Sequence, residues 1–108
     1  MARTVNRGEI WFYQFKKPDK LRPVLILSRQ DAIEVLHTVM VAPITSTFHG
    51  APSEVIIGID EGLKKESAIN LDHVQTVEKT RLKRYIGRVE EPKLKTVCSA
   101  LGIAVGCL

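Results

Sequence analysis

The sequence predicts an α+β fold: a small, strongly bent antiparallel sheet or partial barrel with one helix packed on it. Short β-forming runs follow one another from residue 9 to about residue 89. Gly, Pro, Asp and Asn punctuate the gaps, and only the last segment carries a helical repeat. The chain has 108 residues, 44% of them hydrophobic and 26% charged. That suits a single core, since domains centre on roughly 100 to 150 residues and a second core would have too little chain. Residues 1–108 therefore read as one domain, with no repeat, low-complexity tract or linker to divide them.

Arg7-Gly8 offers a turn, and "EIWFYQF" (Glu9 to Phe15), rich in aromatics and β-formers, reads as the first strand with Trp11 in the core. After the polar connection "KKPDKL", the run "PVLILS" is short and continuously apolar, as befits a central strand covered on both faces. Pro23 at its head removes no interior ladder bond. "RQDAIEVLH" (Arg29 to His37) reads as a short helix with Asp31 near its start, although β-branched Val35 beside Ile33 and Leu36 also allows a strand. "TVMVAPITST" (Thr38 to Thr47) is apolar and β-rich as far as Pro43, so its terminal hydroxyls should emerge at a strand end. Beyond the loop "FHGAPS", "EVIIGI" (Glu54 to Ile59) is a further strand. The Asp and Gly of "DEGLKKE" form a turn. "SAINLDHVQTVEK" (Ser67 to Lys79) then resumes β-like alternation, with Ala68, Asn70 and Asp72 set against Ile69, Leu71 and His73. "RLKRYIGRV" follows as a strand or turn-strand. From about Pro92 to Val105, Leu94, Val97, Cys98, Leu101, Ala104 and Val105 recur on one helix face, with Pro92 allowed in the first turn. Cys98 then reads as a small core residue and Cys107 as a near-terminal thiol.

Sixteen Lys and Arg against twelve Asp and Glu give a net charge of +4, which favours an anionic partner without naming one. Lys16, Lys17, Lys20 and Arg22 crowd one connection, and Lys79, Arg81, Lys83, Arg84 and Arg88 another. Brought together, the two would attract phosphate; kept apart, they are solvated loops. "MARTVNRGEIW" has no apolar h-region, and no run approaches the roughly 20 apolar residues of a bilayer span, so the expected location is the cytoplasm, away from membranes. Nucleotide-cradling glycine motifs and the G-x-S-x-G elbow are missing. His37, His49 and His73 are too dispersed for a metal motif, and Cys98 and Cys107 match no C-x-x-C, so no metal or other cofactor is expected. What remains is polar groups at strand ends.

Taken in order with the closing "ALGIAVG", five segments resemble the MazF/PemK family of toxin endoribonucleases over nearly the whole chain. They are "RGEIW" (Arg7 to Trp11), "RPVLILS" (Arg22 to Ser28), "APITST" (Ala42 to Thr47), "SAINLDHVQTVEKTRL" (Ser67 to Leu82) and "IGRV" (Ile86 to Val89). R-P-V or I-T-S alone occurs widely by chance; the ordered set does not. The resemblance implies an SH3-like barrel elaborated with helices and a homodimer. It also implies metal-independent, sequence-specific cleavage of single-stranded RNA, leaving 2',3'-cyclic phosphate and 5'-hydroxyl ends, and restraint by a cognate MazE-like antitoxin. It places catalysis on the R-P-V arginine and the I-T-[ST] threonine, Arg22 and Thr45. The alternative is a CcdB-like toxin without enzymatic activity, which shares the fold and inhibits DNA gyrase by contact. Such a surface needs no phosphorane site, so Arg22 together with Thr45 favours the nuclease.

The residue types suit that chemistry. Attack by the ribose 2'-hydroxyl requires alignment, proton movement and stabilisation of a phosphorane bearing extra negative charge. A guanidinium supplies a planar fork of donors in fixed geometry, whereas its permanent protonation makes it a poor acid or base. Thr45 can donate its hydroxyl to a phosphate oxygen or orient the 2'-hydroxyl, assisted by Ser46; without the resemblance, turn capping would explain both. "NLDHV" departs from the family, placing Asn70 where some members have an arginine, with Asp72 two residues on and His73 the side chain type that titrates near neutrality. Asn70, Asp72 and His73 are candidate RNA contacts, and Asp72 and His73 could also move protons or simply end a strand. A second departure is the short "KKPDKL", where many relatives carry a longer loop with G-S-E-Q. It implies a more open groove or a different cut motif, with Lys16, Lys17 and Lys20 supplying phosphate contacts in place of base contacts. Tyr13 and Phe48 are the candidates to stack on unpaired bases.

Overall fold

A computed structural model describes residues 4–16 and 21–108. Its strands are β1 (Glu9–Gln14), β2 (Leu21–Ile26), β3 (Thr38–Thr45), β4 (Glu54–Ile57), β5 (Ser67–Asn70), β6 (Gln75–Glu78) and β7 (Leu82–Arg88). Helix α1 (Gln30–Val35) lies between β2 and β3, and α2 (Glu91–Ala104) follows β7. The pairing is antiparallel, in the order β4-β5-β3-β2-β1-β7 with β6 added on β3. The sheet bends without closing, because β4 and β7 end the path unpaired to one another.

Strand β3 makes the bend. Its first half pairs with β6 from Thr38 to Val41, and its end pairs with β5 through Ile44 and Thr45. Pro43 stands between the two ladders, where a missing N–H costs least, and the strand runs through it to end at Thr45, so the hydroxyls emerge at a strand end as expected. An expectation fails in "SAINLDHVQTVEK". It is two strands, broken by a 3-10 turn at Leu71–His73, in which the Asn70 side chain accepts the Asp72 backbone N–H. Asp72 therefore lies in a turn and not on the strand face beside Asn70.

The bent sheet has a core on each side, and β2 feeds both. Val24, Leu25 and Ile26 are all fully buried; Leu25 joins Ile10, Ile44, Ile69, Leu71 and α2, while Val24 and Ile26 join Trp11, Tyr13, Val39, Val41 and Ile33 of α1. That double coverage is why "VLI" is continuously apolar. Burying each such side chain stabilises the fold by about 1.5–3 kcal/mol.

Helix α2 packs through Leu94, Val97 and Ala100, with Leu101 and Ala104 partly buried. Val97 centres that face, and Cys98, about 100° further round, is exposed, its Sγ 3.4 Å from the Arg7 guanidinium. Cys98 is thus a surface thiol and not a core residue, and Val105 is exposed at the helix cap. Leu71 sits in the same core, so α2 supports the turn that carries Asp72 and His73.

Candidate active site

Register places the predicted groups. Paired residues of an antiparallel ladder share a face. Tyr13 pairs with Arg22 on β2 and with Leu82 on β7, and Thr45 pairs with Ala68, which pairs with Ile56. The β2–β3 ladder ends with Val24 against Pro43, and Arg22 and Thr45 each stand two residues beyond that pair, on the same side of their strands as Val24 and Pro43. Arg22 is exposed and Thr45 half-buried. Asn70, two residues beyond Ala68 on β5, shares the face of Ala68.

Thr45 Oγ1 accepts the Thr47 N–H at 3.1 Å, so the turn-capping role is real, but it uses the oxygen as an acceptor and leaves the hydroxyl proton to donate. Ser46 follows, exposed. Beyond β5, a chain of hydrogen bonds orders the polar turn. Ser53 Oγ donates to Asp72 Oδ2 at 2.6 Å, the Asp72 N–H donates to Asn70 Oδ1 at 3.0 Å, and Asn70 Nδ2 lies 3.2 Å from His73 Nδ1. The amide orientation is fixed by its oxygen, so Nδ2 donates and His73 Nδ1 accepts. Neutral His73 then carries its proton on Nε2.

Lys16 is exposed just past β1. Lys17 and Lys20 lie outside the described residues. The starts of β2 and β7 flank the end of β1, so Arg22 and the described part of the first basic connection share one end of the sheet with Arg81, Lys83 and Arg84. Tyr13 is buried, 5% exposed, and so lacks the free face expected of a stacking ring; Phe48 is half-buried.

Two positioning residues escaped the sequence reading. Ser53 is buried and holds Asp72; Glu54 Oε1 accepts the N–H groups of His49 and Ala51 at 3.1 and 2.9 Å, ordering the loop that follows Thr45. Both sit in a segment that reads only as a loop and the start of a strand, and their partners are set by folding. The Ala51 N–H, with those of His49 and Gly50, holds the Glu54 carboxyl below its ordinary range. A lowered folded-state value contributes order that is present above the ordinary carboxylate range and lost as pH falls through the lowered value. The His49 and Ala51 amide resonances should therefore shift together on acidification, with a midpoint below that of an ordinary glutamate. Glu54→Gln should abolish the transition, and its persistence in that variant would refute the assignment.

An arginine fork and a hydroxyl donor near the ends of neighbouring strands, with a polar turn beyond β5 and a basic rim, are groups suited to a phosphodiester. The chain belongs to the family described as PemK-like, MazF-like toxin of type II toxin-antitoxin system, which it matches over residues 6–105. It is 39% identical to a probable endoribonuclease, MazF5, of Mycobacterium tuberculosis strain H37Rv, over 99% of this chain and 98% of that protein. Among solved structures it resembles the M. tuberculosis toxin MazF-mt6, with a TM-score of 0.84 and 36% identity, covering 91% of this chain and 96% of that one. A mycobacterial endoribonuclease solved with its cognate antitoxin shares the fold, with a TM-score of 0.85 at 24% identity, covering 96% and 97% of the two chains. The gyrase-binding alternative is not favoured, since these relatives are named as endoribonucleases.

Proposed function

We propose that this toxin is an endoribonuclease that cleaves single-stranded RNA without metal, through Arg22 and Thr45. The observation that supports the reading is the β2–β3 register, whose last pair, Val24 with Pro43, stands two residues short of Arg22 and of Thr45. The 2'-oxygen attacks phosphorus as its hydroxyl proton leaves, the bond from phosphorus to the 5'-oxygen breaks, and that oxygen takes up a proton. The products are a 2',3'-cyclic phosphate and a 5'-hydroxyl. Arg22 donates its fork to the phosphorane oxygens, and Thr45 donates its hydroxyl to the same group. The Asp72 carboxylate, held by Ser53, accepts the 2'-hydroxyl proton, while His73 presents its Nε2 proton to RNA. Lys16, Lys17 and Lys20, with Ser46 and Asn70, bind the strand.

Residues 1–108 act as one domain in the cytoplasm, restrained by a MazE-like antitoxin, as a type II toxin requires. Two copies pair as a homodimer, which would cover sheet edges and join two basic ends into a longer groove.

Purified protein incubated with mixed-sequence single-stranded RNA in EDTA tests the reading. Cuts should appear and end in cyclic phosphate. Thr45→Ala should slow them about 10- to 100-fold, and Thr45→Ser, which keeps the hydroxyl, should restore most of the rate. Uncut RNA combined with gyrase inhibition would reverse the assignment, and unchanged cutting by Thr45→Ala would move the site elsewhere.

A further inference from the structure

We propose that a cleft beside Tyr13 is a base pocket, taking an RNA nucleobase that carries an exocyclic amine from a nucleotide neighbouring the cut. This rests on the endoribonuclease reading. The cleft measures about 460 Å³, in the size range of small-ligand sites. Its walls come from Tyr13, Phe15 and Lys16 at the end of β1, Gln75 and Glu78 of β6, and Arg81 in the turn before β7. Tyr13 is also the cross-strand partner of Arg22, so the cleft adjoins the catalytic strand end.

The aromatic floor is fixed. The buried Tyr13 ring meets Phe15 edge-on, 4.7 Å between centroids at 70°, and the Arg81 guanidinium stands 5.8 Å from the Tyr13 centroid. Held from two sides, Tyr13 is an underlayer. Phe15, half-buried, is the ring with surface to offer a base, and unpaired bases stack on such rings.

The side chains that β6 contributes decide what enters. The Gln75 amide both donates and accepts, whereas the Glu78 carboxylate only accepts. A carboxylate repels phosphate, so the cleft takes the base, and Lys16 and Arg81 take flanking phosphates. Adenine, cytosine and guanine offer exocyclic N–H donors to a carboxylate. Uracil offers one ring N–H between two carbonyl oxygens, and the carboxylate disfavours it.

The test uses the intact protein with oligocytidylate and oligouridylate, followed by backbone amide NMR, and separately a randomised RNA whose cut sites are sequenced. Oligocytidylate should move the amides of Gln75, Thr76, Glu78 and Arg81 and bind about tenfold tighter than oligouridylate. Glu78→Gln, at an exposed position, should erase that difference, and Gln75→Ala should weaken both ligands. In the sequenced cuts, one position flanking the cleaved bond should exclude uridine in the wild type and admit it in Glu78→Gln. Cleavage accompanied by silent cleft amides and an unaltered sequence preference would overturn the pocket alone. Cleft shifts and a cytidine preference without any cleavage would uphold the pocket and overturn the nuclease reading.

Discussion

Arg22→Ala should lower the single-turnover rate of RNA cleavage about a thousandfold or more while leaving the fold intact. Arg22 is exposed at a strand end, so its removal empties no core, and substitutions of that kind usually change stability by about 0.5 kcal/mol or less. In the proposed mechanism the loss falls on the rate and not on affinity, because several basic side chains hold the ground-state phosphates and the Arg22 fork serves the extra charge of the phosphorane. A thousandfold corresponds to about 4 kcal/mol of transition-state stabilisation. Arg22→Lys separates charge from geometry: the point charge remains, the bidentate fork is lost, and about 10- to 100-fold of the rate should go with it. If Arg22→Lys matched wild type, charge alone would suffice and the fork argument would fail. If Arg22→Ala weakened RNA binding in proportion to rate, Arg22 would be a docking residue.

The resemblance named Arg22 and Thr45, but that both stand two residues beyond one ladder pair, Val24 with Pro43, required the β2–β3 register, which no run of residues encodes alone. Local pattern sufficed for β2, because a strand buried on both faces must be apolar at consecutive positions, and for α2, whose stripe repeats over several turns. It misplaced Cys98 because helical spacing gives a stripe's period and leaves its centre to packing; the core met Val97 instead. It missed the turn at Leu71–His73 because a buried Leu71 satisfies both an alternating strand and a turn. The choice was made by Asn70 capping Asp72 and by the Leu71 N–H reaching the Ser53 carbonyl, a contact from another part of the chain. Ser53, Glu54 and the cleft beside Tyr13 share that property: each takes its meaning from a partner that only the folded chain supplies.

Gly87→Ala should be among the most damaging single substitutions to stability, costing about 3 kcal/mol and lowering Tm by about 10–15 °C. A Cβ at Gly87 would stand 2.0 Å from the Glu61 carbonyl oxygen and 3.2 Å from Gly62 Cα, so backbone must move to admit it. Gly62 presses back from the other side, where its own Cβ would lie 2.7 Å from the Ile86 oxygen. The contact clamps the Ile59–Glu61 turn onto β7, and the buried Glu61 closes that turn on itself and ties it to α2. Its carboxylate accepts the Gly58 N–H at 2.7 Å and lies 3.5 Å from Lys93 Nζ on α2. Pushing the turn away would loosen the Lys93 ion pair and expose Leu63 and Ile86 where they cover the first core. Gly50 provides the contrast: its φ is +76° but nothing lies near a Cβ there, so Gly50→Ala should show only the conformational cost, about 1–2 kcal/mol. Thermal unfolding of the two variants separates close approach from backbone strain. A Gly87→Ala protein melting within a few degrees of wild type would mean that the turn can lift from β7 without loss, and that the clamp is not needed to hold α2 against the sheet.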